Sequence, residues 1–408
     1  MNATTASHRT EQSSGSSVAE RSTTDAIVRF VDANPGLPTP YLVVDLDVVA
    51  ERYEALAEAL DGVALHYAVK AHPAPEILSL VLARGGRFDV ASPGEIDLCL
   101  AAGATGDQIS YGNTAKKQRD IAYAHARGVR LYSFDSAAEL DKLLAEAPGS
   151  TVMCRVLAGG AGADWPLSRK FGCEPAMAVE LLTRAAAEGL GTGLAFHVGS
   201  QQRHPEAFDT SLAEIGWIVT ELRARGVELD VLNLGGGFPA HYQEDIPEPG
   251  AYGRAIRQAL ADHLGDDRPD HPGHEGPTLI AEPGRYLVGD AGVIVSEVVL
   301  VSTKSADEDR RWVTVDIGVF GGLAEALDEA IRYRVTTDHD GGPLGPVVIA
   351  GPSCDSMDVL YDKSDYHLPL ALAPGDRILF HSTGAYTTTY SSVGFNGFAP
   401  LAAHMTRS

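Results

Sequence analysis

Three stretches of this chain carry residue types that could act together. The apolar run His66-Tyr67-Ala68-Val69 ends in Lys70. Leu234 is followed by Gly235, Gly236 and Gly237. Glu282-Pro283-Gly284-Arg285 sets a carboxylate and a guanidinium three residues apart. Lysine is seldom buried without a partner, and a desolvated lysine amine is the usual group for forming a Schiff base. Consecutive glycines expose backbone N–H groups that can cradle a phosphate. An arginine can grip a phosphate with two parallel N–H bonds, and a buried carboxylate can hold a proton on a heteroaromatic nitrogen. Aldehyde, phosphate and ring nitrogen are the three handles of pyridoxal 5'-phosphate. Each stretch also has a plain structural reading: a surface lysine at a strand end, a tight turn and a charged loop.

The elements that must position these groups alternate. Apolar runs at 64–69, 87–90, 108–111, 129–134, 151–156, 193–196, 231–234 and 278–281 read as strands. Amphipathic stretches lie between them, the first at 47–60. Ser92 with Glu95 reads as a capping box, and Pro175 and Pro205 mark further helix starts. Alternating strands and helices make a parallel sheet, and eight such units predict an α/β fold, a closed (β/α)8 TIM-type barrel. A doubly wound open sheet is the alternative, but no glycine-rich dinucleotide turn opens the series. Barrel sites form at the C-terminal strand ends. Lys70, Asp89, Asn113, Arg155, His197, the triple glycine and Glu282 all stand there, a set that random surface loops would seldom supply.

Beyond residue 286 the pattern changes. Strand-like runs at 293–302, 312–316 and 347–350 alternate with Gly/Pro turns, and one helical stretch spans 322–333. The expected layout is a disordered, Ser/Thr-rich tail over 1–24, a barrel with its lead-in over 25–285, and a mostly antiparallel β domain over 286–408. Residues 25–45 can join that second domain. The charge of −23 disfavours nucleic acid and anionic membranes as partners and favours cationic small molecules. Cys99, Cys154, Cys173 and Cys354 are scattered in neither a disulfide nor a metal-ligand pattern, so no metal is expected and a reducing, cytoplasmic location fits. No apolar run is long enough to span a bilayer, and the N-terminus lacks a signal-peptide core.

The motifs Tyr67-Ala68-Val69-Lys70, Phe88-Asp89-Val90-Ala91-Ser92, Phe196-His197-Val198-Gly199-Ser200, Gly235-Gly236-Gly237-Phe238-Pro239, Glu282-Pro283-Gly284-Arg285, Gly351-Pro352-Ser353-Cys354-Asp355 and Gly384-Ala385-Tyr386-Thr387 occur in this order. With them, the chain resembles the fold-type III pyridoxal-phosphate decarboxylases over about 38–401. That group takes ornithine, lysine, diaminopimelate or arginine, and the likeness is greatest to bacterial lysine/ornithine decarboxylases. The resemblance implies an alanine-racemase-like barrel and a homodimer with shared active sites. Lys70 would carry the cofactor, with Asp89 and Arg155 orienting it. His197 would stack on the ring and Glu282 would pair with its nitrogen. Ser200, Gly235, Gly236, Gly237, Gly284, Arg285 and Tyr386 would bind the phosphate. Residues 158–162 would belong to a mobile cover. From the second subunit, Cys354 would return a proton and Asp355 would accept the distal ammonium of the substrate.

The resemblance implies L-ornithine decarboxylation to putrescine, with L-lysine to cadaverine as a further possibility. Diaminopimelate enzymes usually carry Glu where Asp355 stands, and arginine-specific members usually have longer, inserted chains. Either Asp328 or Glu329 would supply another substrate-binding carboxylate. The chain departs from the family at His72, usually asparagine, and at Phe320, usually tyrosine, which leaves another diamino acid open. A racemase or a non-catalytic regulator of the same fold are the other classes. Cys354-Asp355 argues against the first, and Lys70, Glu282, Arg285 and Cys354 argue against the second.

Overall fold

The computed structural model describes residues 24–157, 163–165, 170–265 and 276–408. Nearly all of the expected tail and the expected cover at 158–162 lie outside the described residues. Eight parallel strands close into a barrel: Ala64–Ala68, Arg87–Val90, Ile109–Tyr111, Leu131–Phe134, Thr151–Arg155, Gly191–Ala195, Val231–Asn233 and Thr278–Ala281. Closure comes from Ile280 and Ala281 pairing with Ala64 and Leu65. The strand expected at 193–196 begins two residues earlier, because Gly191 reads as a turn but serves as a close approach. A Cβ there would lie 2.5 Å from Thr151 Oγ1.

The helices follow their local signals. Leu46–Ala59 starts where Asp45 caps the Asp47 amide at 2.9 Å. Ser92 caps Glu95, whose carboxylate returns to the Ala91 amide at 2.7 Å. These short connections hold the strand ends at fixed positions. Apolar faces of Ile77, Val81, Ile96, Leu140, Leu182 and Leu212 are buried against the barrel wall.

A second, nine-stranded sheet is mixed and largely antiparallel. Its long strand Gly292–Ser302 pairs antiparallel with Tyr41–Asp45, Arg311–Val315 and Arg377–His381. The lead-in strand Tyr41–Asp45 thus lies in this sheet, before the chain enters the barrel. The helix expected over 322–333 is instead a 3-10 segment, Ala324–Glu329, broken at Leu327 (ψ 134) and Asp328 (φ 54). Glu329 is also left-handed (φ 59), so α-helical bonding cannot pass through. The break decides which of the three acids in this segment faces inward.

Candidate active site

A cavity of about 540 Å3 opens at the C-terminal strand ends. Lys70 enters it from the turn Val69–Ala71, straight after the first barrel strand. Its Nζ lies 3.7 Å from Asp89 Oδ2; the lysine side chain is 49% exposed to the cavity and Asp89 is 4% exposed. Burial alone would lower the lysine pKa, but Asp89, Tyr386 and Glu282 raise it, so the amine rests as an ammonium. Burial, then the charge of Glu282, pushes the Asp89 carboxyl up. Asp89 Oδ1 has no hydrogen-bond partner among the described residues. Gly112 makes room for it, since a Cβ there would lie 2.0 Å from that oxygen.

Glu282 is aimed by a residue that the sequence reading did not single out. Asn233 donates to Glu282 Oε1 at 2.5 Å, and its own oxygen accepts the Gly235 amide at 2.8 Å. One asparagine thereby ties the carboxylate to the glycine turn. Gly235 has φ 70, and a Cβ would fall 2.1 Å from Phe196 O. At Gly236 a Cβ would fall 2.5 Å from Glu282 O and 3.4 Å from His197 Nε2. His197 is held neutral, first by burial and then by Arg155 and Lys70. Its Nδ1 accepts the Gly199 amide at 3.0 Å. Arg155 lies 5.0 Å from the Phe171 ring centroid.

At the other end of the cavity, Arg285 is 3% exposed and donates to Glu325, Tyr242 and Ser200. Tyr386, at φ 56, donates its amide to Ala71 O at 2.9 Å and lays its ring 4.9 Å from the Arg285 guanidinium carbon. Burial raises its pKa, leaving the phenol protonated as a donor. His72 stays outside the cavity. Its Nδ1 lies 2.8 Å from Gly384 O, a pure acceptor, so Nδ1 carries the proton. It thereby braces the segment that delivers Tyr386.

The structure gathers Lys70, Asp89, Arg155, His197, Ser200, Gly237, Glu282, Gly284, Arg285 and Tyr386 around one cavity. Gly235 and Gly236 form the adjoining turn. Cys354, Asp355, Asp328 and Glu329 do not line it. Cys354 and Asp355 are exposed; Cys354 bonds Asn396, and Asp355 accepts the Met357 amide. Asp328 pairs with Lys363 at 2.9 Å. Glu329 accepts the amides of Asp362, Lys363 and Ser364, which turns its carboxylate away. The acid of this segment that lines the cavity of its own chain is Glu325; a substrate contact from Asp328 or Glu329 would have to come from another copy of the chain. Phe320 packs on Phe395, ring centroids 4.6 Å apart, away from the cavity.

The donor set suits pyridoxal phosphate: an amine at one point, an oriented carboxylate at another, a flat neutral imidazole between, and a cradle of amides that any Cβ would obstruct. Residues 46–289 match the family described as pyridoxal-dependent decarboxylase, pyridoxal binding domain. The lysine/ornithine decarboxylase of Selenomonas ruminantium is 34% identical over 89% of this chain and 88% of its own. The chain belongs to the pyridoxal-dependent decarboxylase family. As a member, it is a decarboxylase that uses pyridoxal phosphate. The lysine/ornithine decarboxylase of Vibrio vulnificus, solved with putrescine, superposes with a TM-score of 0.81 at 30% identity, covering 93% of this chain and 97% of that one. The arginine decarboxylase of Paramecium bursaria Chlorella virus superposes with a TM-score of 0.82 at 25% identity, covering 93% and 99%.

Proposed function

We propose that the protein removes the α-carboxylate of L-ornithine, giving putrescine and carbon dioxide, with L-lysine to cadaverine as a second reaction. The observation that carries this reading is the Lys70–Asp89 pair, 3.7 Å apart, in a cavity shared with Glu282 and His197. Bound there, pyridoxal phosphate supplies a sink for the electron pair left when carbon dioxide departs. Lys70 would hold the cofactor aldehyde and yield its place to the substrate amine, with Asp89 and Arg155 orienting the exchange. Glu282, aimed by Asn233, would keep the ring nitrogen protonated. A neutral His197 would stack on the ring without adding positive charge beside it. Ser200, Gly235, Gly236, Gly237, Gly284, Arg285 and Tyr386 would hold the phosphate.

Cys354 and Asp355 would serve the cavity of a second copy of the chain, which makes the enzyme a homodimer with shared sites. Their position supports this: both are exposed and off their own cavity, and Asp355 accepts the amide of Met357, which exposes 61% of its surface. Such apolar exposure suits a covered face. The Cys354 thiol would give its proton to the α-carbon, replacing the lost carboxylate, and regain one from solvent. Asp355 would pair with the distal ammonium.

Carbon dioxide release across ornithine, lysine, arginine, diaminopimelate and 2,4-diaminobutyrate tests the assignment. Ornithine should react fastest and lysine next. Release from diaminopimelate alone would remove the role of Asp355, and release from arginine alone would move the assignment to a longer substrate.

A further inference from the structure

The phosphate end of the cavity contains an ion pair that a phosphate site does not need. Arg285 and Glu325 are 3% and 4% exposed, and both terminal nitrogens of the arginine bond the carboxylate end-on at 2.7 Å. One terminal nitrogen also donates to Tyr242 Oη at 2.7 Å. The remaining edge, Nε with the other terminal nitrogen, converges on Ser200 Oγ at 3.2 Å from each. Every edge of the guanidinium is thus satisfied by the chain itself. Tyr242 and Glu325 together outweigh burial and hold Arg285 firmly charged. A phosphate placed at Arg285 would meet a neutralised pair, not a free cation. It would also come close to the Glu325 carboxylate, which lines the same cavity and is 4% exposed, where like charges repel strongly.

We infer that Glu325 is an internal counter-ion: it occupies the end-on fork of Arg285, stabilises the cofactor-free protein and weakens the hold on the cofactor phosphate. This rests on the proposed placement of the phosphate at Arg285. Glu325 is then a positioning residue: with the end-on fork taken, the phosphate would reach the arginine only at the edge that Ser200 occupies, beside the Ser200 hydroxyl. Removing one partner of a buried pair strands the other. A guanidinium stranded in this way favours any anion that reaches it. The two effects of losing Glu325 therefore have opposite signs, whereas a residue that merely shapes the pocket would lose stability and affinity together.

The test uses the full chain freed of cofactor. Pyridoxal phosphate affinity is read from visible absorbance, and inorganic phosphate binding from the shift in melting temperature. Glu325→Gln should melt lower without cofactor yet bind pyridoxal phosphate about tenfold tighter, which is about 1.4 kcal/mol. Inorganic phosphate should raise its melting temperature more than that of the wild type. Unchanged or weaker affinity overturns the counter-ion role. Arg285→Met should weaken cofactor binding; if it does not, the placement of the phosphate falls, and the inference with it, but for a distinguishable reason. Glu325→Gln could fail to fold without cofactor, so the double variant Arg285→Met/Glu325→Gln is measured beside it. It should regain near-wild-type melting and lose the gain in affinity. A double variant that does not fold, or melts no higher than the single, overturns the pairing.

Discussion

At the cofactor end of the cavity, Lys70, Glu282 and Arg285 each lean on a second residue: Asp89, Asn233 and Glu325. The backbone around them has no slack, as the obstructed Cβ positions at Gly112, Gly235 and Gly236 show. The turn bearing Cys354 and Asp355 is built differently. Its side chains are exposed and tied by local bonds to Asn396 and to the Met357 amide. The contrast teaches that the first region is organised by one chain before any ligand arrives. The second is a surface, and the proposed roles of Cys354 and Asp355 would need a second copy of the chain brought against it.

The largest effect that could break this comparison is at Lys70. Lys70→Ala should abolish carbon dioxide release, and the borohydride-sensitive visible absorbance of the wild type should be missing. Retained absorbance would mean that the cavity binds its cofactor elsewhere. Next comes Asp355→Ala, which should lower kcat/KM for ornithine about a hundredfold, as truncating one member of a buried charge pair does. Its cofactor affinity should be unchanged. Co-expressing Lys70→Ala with Asp355→Ala should recover activity that neither has alone, because one cavity of the mixed dimer is then intact. No recovery would place both residues in one chain's site.

Acid should single out the cofactor half. Burial depresses the pKa of His66 to about 3, and those of His72 and His197 also lie below the usual 6.5. The unfolded chain therefore takes up these protons first, so stability falls as pH drops below 6.5. The slope approaches about 1.4 kcal/mol per pH unit for each of His66 and His197, and His72 adds to it in the same direction. Denaturant titrations between pH 7 and 5 measure it, and His72→Asn should make the slope shallower. The smallest effects belong to the acids turned outward. Glu329→Ala should cost about 1 kcal/mol by freeing the backbone amides of 362–364, with little change in turnover. Asp328→Ala should change neither melting nor rate. A tenfold loss of activity in either would bring that carboxylate back to the substrate.

The barrel was legible because its signals are local. Each strand is an apolar run, most connections carry a cap or a proline, and strand ends in a closed barrel converge by geometry. Lys70, Asp89, His197 and Glu282 could be placed from that alone. Asn233 was missed because an asparagine inside a strand has no pattern of its own, and its role appears only when Glu282 and Gly235 come together. Glu325 was missed for a different reason. Glu325, Asp328 and Glu329 lie in one short acidic stretch, and helical spacing makes all three look solvent-facing.

The sequence by itself determined the barrel, the cofactor handles and their order, since residue type and strand-end position suffice for those. Only the tertiary structure decided which acid turns inward. The break at Leu327 and Asp328 rotates the segment. Arg285, which arrives from the barrel, then offers Glu325 a buried cation, while the amides of 362–364 draw Glu329 outward. A buried charge settles where its counter-charge already lies, and that location is set by residues far away in the chain.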